Sequence, residues 1–397
     1  MGSDWKILKD RFASRYQRMP ERFFSAPGRA ELCGNHTDHQ QGKVLAAAVE
    51  LDIKAAVAPN GSGLIRIESE GFATIELSVT DLQPRKTERG TAGSLVRGVA
   101  EGITRLGFTL SGFDAYVSSN LLVGGGLSSS AVFETLIGTI FNCLFCEEKI
   151  APAQIAEIGR FAENEYFGKP CGLMDQMVSA CGGVLFIDFK DMRKPRLEQL
   201  DPDFDKMGYA LCMVRSGADH SGLMAEYASV PEEIRKICGV FGKNCLRELP
   251  EEDFYARIPE LRRLAGDRAM LRAIHVYEEN RRVDAALVAL KQGDTDAYFR
   301  TLRASGDSSW KYLQNVIPAG TVAHQELALT LAVTEKLLGG RGVCRMQGGG
   351  FAGAIQAYVP KDMLEEFLSG AEKLLGTGCV TVLKLRSRGG CEEFPNE

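Results

Sequence analysis

Ser119-Asn120-Leu121-Leu122-Val123-Gly124-Gly125-Gly126-Leu127-Ser128-Ser129-Ser130-Ala131 leads from a strand-like segment, Phe113–Ser118, into a helical one, Ala131–Cys146. Three successive glycines let the backbone approach a ligand closely and take positive φ. Serines at the helix start add hydroxyl donors. The free N–H groups and the positive end of the helix dipole favour an anion. A capped helix after a flexible turn would show the same pattern. A dinucleotide-binding G-x-G-x-x-G turn is disfavoured, because Ser129 holds the third glycine position. A Walker A loop needs a lysine followed by Ser or Thr after its last glycine, and that is absent. A lysine-free phosphate cradle built on backbone amides remains.

The surrounding chain has 397 residues, 45% of them hydrophobic, which is enough for a sizeable core in two or three lobes. A net charge of -5 argues against a nucleic-acid surface, so phosphate must be held by local geometry. The start, MGSDWKILKDRF, lacks the apolar core of a signal peptide, and Lys6 excludes a myristoylation start. No apolar run reaches the length of a membrane span. Eleven scattered cysteines indicate a reduced, cytoplasmic protein. Cys143 and Cys146 form a CxxC, but it lies in the apolar helix and no second pair stands at zinc spacing.

Strand-like alternation appears at Leu64–Glu68, Ala73–Val79 and Phe113–Ser118. A helix is expected at Pro152–Phe167 and a strand at Val184–Phe189. The second half alternates helices (Leu223–Val240, Tyr255–Lys291, Gln325–Leu338, Asp362–Leu375) with strands at Gly208–Val214, Ala354–Val359 and Val380–Leu385. The mixture is α+β. A boundary is expected where charge and proline gather between Phe189 and Asp205, dividing the chain into residues 1–195 and 196–397.

Val123 to Ala131 resembles the second motif of the GHMP kinases. Ala26-Pro27-Gly28-Arg29-Ala30-Glu31-Leu32-Cys33-Gly34-Asn35-His36-Thr37-Asp38-His39 resembles the signature of the galactokinase branch. Arg345-Met346-Gln347-Gly348-Gly349-Gly350-Phe351-Ala352-Gly353 resembles the third motif. The three stand in the family's order, and the resemblance spans about residues 22 to 385. It implies a two-lobed fold, with a βαβ-containing N-terminal lobe and a ferredoxin-like C-terminal lobe. It also implies ATP and a sugar in the cleft between them. Gly124, Gly125, Gly126, Leu127, Ser128, Ser129, Ser130, Gly349 and Gly350 would bind ATP.

By the same resemblance Ser130 and Glu163 would hold Mg2+, which suits an ion that keeps few protein ligands. Glu165 is a nearby competitor, but the family's Glu stands twelve residues before its catalytic Asp, as Glu163 stands before Asp175. Asp175, in Gly172-Leu173-Met174-Asp175-Gln176, would accept or support removal of the anomeric hydroxyl proton. Arg29 would keep that carboxylate ionised and stabilise developing negative charge.

Asn35, His36, Asp38, Gly172 and Tyr227 would line the sugar pocket. The family usually has Val-Asn-Leu-Ile-Gly-Glu-His-x-Asp-Tyr in the first motif, so Asn35 stands where a Glu meets the sugar's C6 hydroxyl. Asn still serves galactose, and it would also suit the C6 carboxylate of galacturonate, which Glu repels. Galacturonate kinases share His-Gln after the Asp, as in His39-Gln40. Arg215 replaces a usual Asn and would add positive charge nearby. Gln347 replaces a usual Thr, and Ala352 a usual Gly. His36, Asp38 and His39 could also be read as metal ligands, with the sugar signature as the better explanation. A sugar sensor without catalysis would show damage in the loop or catalytic pair, and both are intact. Mevalonate or homoserine kinases lack the sugar-branch motifs. The implied partners are thus a galactose-type sugar and ATP, with no nucleic acid, no membrane and no assigned oligomeric state, a monomer being compatible.

Overall fold

The two longest strands are ones that alternation does not reveal. In the computed structural model, which describes residues 3–121, 126–218 and 222–395, β1 (Arg22–Cys33) and β2 (Lys43–Pro59) are almost wholly buried. A strand covered on both faces reads as a continuous run rather than an alternation. β1 also carries Pro27, Gly28 and polar side chains, while β2 is rich in alanine. The two pair antiparallel, with irregularities between Pro27 and Arg29 and between Glu31 and Cys33. Such bulges re-aim side chains, and here they flank Arg29.

The same sheet takes β3 (Leu64–Ser69), β4 (Ile75–Ser78), β5 (Phe113–Ser119), β6 (Val184–Asp188) and β7 (Arg196–Leu200). β3 and β5 are parallel neighbours, joined through the helix Ala92–Arg105, which is the expected βαβ unit. A second sheet contains β8 (Tyr209–Arg215), β9 (Val343–Met346), β10 (Ala354–Pro360) and β11 (Val380–Leu383). Its order is β11-β8-β10-β9, all antiparallel, with the last strand beside the first and the third beside the second. That is the ferredoxin-like arrangement. The chain then returns: β12 (Cys391–Glu393) pairs with β1. The division expected at 195/196 therefore does not follow sheet membership, since β7 and β12 both belong to the first sheet.

Helices Ser129–Phe145 and Pro152–Phe161 cover the first sheet, placing Leu136, Ile140, Phe141 and Ile155 against Phe24, Val57 and Phe113. Burying each such side chain contributes roughly 1.5–3 kcal/mol before entropy is counted. A second apolar cluster joins the sheets, bringing Leu32 and Leu45 together with Met213, Val283 and Tyr358. Val283 belongs to the long helix Asp267–Gln292.

Two expected helices are interrupted. Tyr255–Lys291 falls across Glu251–Ala256, Ile258–Ala265 and Asp267–Gln292, the last break being Gly266 at φ 85°. Pro152–Phe167 is α-helical only to Phe161, and Ala162–Phe167 forms a π-turn. π-turns are often found at functional sites, and this one carries Glu163. All eleven cysteines are free; Cys143 lies in the last turn of its helix and Cys146 just beyond it. Among the described residues no helix is long and apolar enough to cross a membrane.

Candidate active site

Arg29 leaves β1 between the two irregularities and points toward the helix Met174–Cys181, whose second residue is Asp175. The buried guanidinium grips the carboxylate twice, Nε to Oδ1 at 2.7 Å and Nη2 to Oδ2 at 3.0 Å. Nη1 donates to the Gly126 carbonyl. One side chain thus ties the first motif to the catalytic candidate and to the phosphate loop. Burial alone would raise the Asp175 pKa. The charge of Arg29, a hydrogen bond from Ser128 and the charge of Lys169 outweigh it and hold the carboxyl below its usual range.

Gly124 and Gly125 lie outside the described residues. Gly126 follows them at φ 67°. Leu127 buries its side chain in the cluster between the sheets, so it offers a ligand only its backbone. Ser128 is left-handed at φ 60°, a conformation few non-glycine residues adopt, and its hydroxyl reaches Asp175. Ser129, exposed, opens the helix. Ser130 Oγ donates to Glu163 Oε1 at 2.8 Å. Glu163 is buried, whereas Glu165 is exposed. The same Oε1 takes Lys169 Nζ at 2.9 Å, and Oε2 takes Gln176 Nε2 at 2.8 Å. Gln176 Nε2 also lies 3.0 Å from Glu134 Oε2. Burial and the neighbouring charge of Glu163 push the Glu134 pKa far up. Sequence reasoning passed over Lys169 and Glu134. Glu134 lies four residues after Ser130, one helical turn along, and that spacing was the available signal.

Asp38 and Gly172 meet closely. A Cβ on Gly172 would lie 1.6 Å from Asp38 Oδ2, so no larger residue fits. The Asp38 carboxyl is pushed up to about 6, by burial first and by the charge of Asp175 second. The two carboxyl groups of the site therefore shift in opposite directions. His36 Nε2 lies 2.9 Å from the Gly349 carbonyl and Nδ1 lies 3.0 Å from His39 Nε2. His39 Nδ1 lies 3.3 Å from Gln40 Nε2. Donors and acceptors balance along this chain when both imidazoles are neutral, and burial lowers both pKa values. Tyr227 donates its hydroxyl to the Gly350 carbonyl at 2.9 Å. Its ring abuts Gly349, where a Cβ would come within 2.6 Å. Gly350 has φ 79° and no space for a Cβ against the Asn315 carbonyl. Arg215 Nη2 donates to the Gly378 carbonyl at 2.7 Å.

Residues 10–59 match the model of the galactokinase galactose-binding signature, and residues 94–183 that of the GHMP kinases N terminal domain. The galactokinase of Streptomyces coelicolor is 32% identical over 87% of this chain and 86% of its own length. That of Glaesserella parasuis serovar 5 is 30% identical over 91% of both. The chain belongs to the galactokinase family of GHMP kinases. Among solved structures, a Lactococcus lactis galactokinase complexed with galactose superposes with TM-score 0.82 at 22% identity, covering 98% of this chain and all of that one. The Methanococcus jannaschii mevalonate kinase does so at 0.65 and 14%, covering 92% and 98%. Both share the fold.

Within this family pattern, Asn35 is the departure. It is fully buried. Nδ2 donates to the Glu31 carboxylate at 3.1 and 3.2 Å and to the Gly348 carbonyl, while Oδ1 accepts from Asn315 at 2.9 Å. Glu31 stands where the family pattern has Asn. The departure is thus a reciprocal exchange across one contact, and the carboxylate missing at position 35 sits beside it. Behind the turn stands Glu279, which takes the N–H groups of Gly34 at 3.1 Å and Asn35 at 3.3 Å, with Ser305 and Arg282 as further donors. His275 reaches the Asn35 carbonyl at 3.0 Å. Burial would raise the Glu279 pKa, and His275, Arg282 and Arg345 bring it down to about 2.

Gly172→Ala must displace Asp38, so the sugar KM should rise about 10²-fold in steady-state kinetics, the scale of a 1 Å misplacement. Glu279→Gln strips the charge from a buried network. Denaturant unfolding should show a loss of about 3 kcal/mol, and the KM for sugar should rise more than that for ATP.

Proposed function

We propose that the protein transfers the γ-phosphoryl group of ATP to the anomeric C1 hydroxyl of galactose. The observation that carries this reading is the Arg29 guanidinium, bonded at once to Asp175 and to the Gly126 carbonyl of the phosphate loop. It brings an ionised carboxylate and a phosphate cradle to one point, which is what phosphoryl transfer asks of a protein.

Asp175, held below the usual carboxylate range, is ionised at working pH and is a weak base. It accepts the hydrogen bond of the C1 hydroxyl and aims that oxygen at the phosphorus. The proton moves to Asp175 late, when bonding to phosphorus has made the hydroxyl acidic. Arg29 stays paired throughout and lends its charge to the developing anion. Asp38, beside Gly172, accepts hydrogen bonds from ring hydroxyls. Ser130 Oγ and the Glu163 carboxylate would hold a magnesium ion, whose chemistry there is to neutralise charge on the donor phosphates. One hydroxyl and one carboxylate suit that ion, and Glu163 already accepts a cation in Lys169. Asn35 gives no reason to prefer galacturonate, because its neighbour Glu31 carries a carboxylate. ADP release measured with galactose, galacturonate and N-acetylgalactosamine should be fastest with galactose, and a strong preference for galacturonate would overturn the choice.

Asp175→Asn should keep the fold and lower kcat by about 10²–10⁴-fold. Wild-type turnover no faster than that of the variant would mean a sensor instead of an enzyme. Asp38 ionises as pH climbs through about 6, so kcat/KM for galactose should rise across that range and Asp38→Asn should flatten it. The native pKa lies above the ordinary 3.8, so between the two values the folded state holds the extra proton. The same group therefore removes stability as pH rises through that window. Melting curves of Asp38→Asn should lack this decline.

A further inference from the structure

Gln347 follows β9 directly and precedes the glycines that bond His36, Asn35 and Tyr227. Its side chain is 2% exposed, and neither its amide oxygen nor its amide nitrogen has a hydrogen-bond partner. Among the described residues it is the one side chain with both ends of a terminal amide buried and unpaired. Burying an amide without partners is a net loss of stability, and an apolar residue of the same length would avoid it. A group kept at that loss needs a partner from elsewhere.

Its surroundings indicate which partner. Gln347 Nε2 lies 4.0 Å from where a side chain on Gly126 would begin, and the Gln347 carbonyl lies equally near. Gly126 is the described residue at which the phosphate loop enters its helix, and its carbonyl is held by Arg29. The Cβ position of Gly348 is 3.6 Å from Arg29 Nη2. The amide thus stands beside the donor cradle, and the residue that follows it stands beside a cation. The sugar-signature contacts begin one residue later, at the Gly348 and Gly349 carbonyls. A neutral donor at this point adds a hydrogen bond to an anion without repelling Arg29, and Gln reaches farther from the backbone than the Thr of the family pattern.

We infer that Gln347 completes the phosphoryl-donor site, its side-chain N–H pairing with a phosphate oxygen of the bound nucleotide. This rests on the kinase reading above. Gln347→Met keeps the length and removes the amide. Its ligand-free melting temperature should equal or exceed that of the wild type. The rise in melting temperature on adding ADP with magnesium should shrink, and the KM for ATP should increase about tenfold or more. The response to galactose and its KM should change less than twofold. Gln347→Glu, with the same shape but no donor, should lose the ADP response at least as fully, which covers failure of the Met variant to fold. A ligand-free melting temperature lowered by several degrees, with the ADP response intact, would make Gln347 structural and overturn the inference. So would loss of the galactose response alone. A wild-type protein that shows no ADP response would instead sink the kinase reading itself.

Discussion

Glu31 on β1 and Arg345 on β9 come from different sheets and meet at 2.9 Å, each all but inaccessible to water. Breaking one partner of such a pair typically costs about 3–5 kcal/mol, because the other charge is left buried. Burial pushes the Glu31 pKa up, and Arg345 pulls against it. Arg345 also donates to the Glu31 and Leu32 carbonyls, and Gln356 on β10 donates to the Glu31 carbonyl too. These bonds fix where β9 ends. The segment that follows therefore lies over the sugar signature, where its carbonyls are taken by Asn35, His36 and Tyr227. That seam carries the glycine segment onto the signature, and the site's geometry depends on it.

Within the cleft, the protein separates two carboxyl groups by environment. Asp175 is given a bidentate guanidinium, a serine hydroxyl and a helix N-terminus, so it stays charged. Asp38 is buried with no ion pair among the described residues and lies near that charge, so it holds its proton to higher pH. Opposite shifts in neighbouring acids mark a division of roles. In the proposed mechanism, one serves the reacting hydroxyl and the other binding. The close fit of Gly172 on Asp38 shows why the family's stretch needs a glycine there.

Much of the second half was legible because its elements are one-sided. β10 and β11 and the helices Glu326–Leu338 and Leu364–Leu375 fall within a few residues of where periodicity puts them. β1 and β2 were missed for the opposite reason: covered strands show no period, and alanine runs resemble helix. The break at Gly266 is local, a glycine at positive φ with nothing packed against it, whereas the π-turn at Ala162–Phe167 is not carried by a residue-by-residue pattern. β12 comprises three residues near the end of the chain, and pairing with β1 is the whole of its identity.

The sequence by itself determined the family and the residue types at the chemistry. Arg29, Asp175, Ser130 and Glu163 belong to short local motifs whose order along the chain is enough to recognise them. Only the tertiary structure decided what each side chain faces. Asn35, expected from the motif to line the sugar pocket, is bonded to Glu31, four residues back. Glu279 showed no signal at all, yet it holds the turn from 245 residues away. The physical reason is that a motif records composition at neighbouring positions, while burial and hydrogen-bond satisfaction are set by contacts between distant ones. The three motifs in their order thus name the reaction from sequence alone, which the loop by itself does not. The pairing of Arg29 with Asp175 and the fit of Gly172 on Asp38 exist only once segments distant along the chain have packed together.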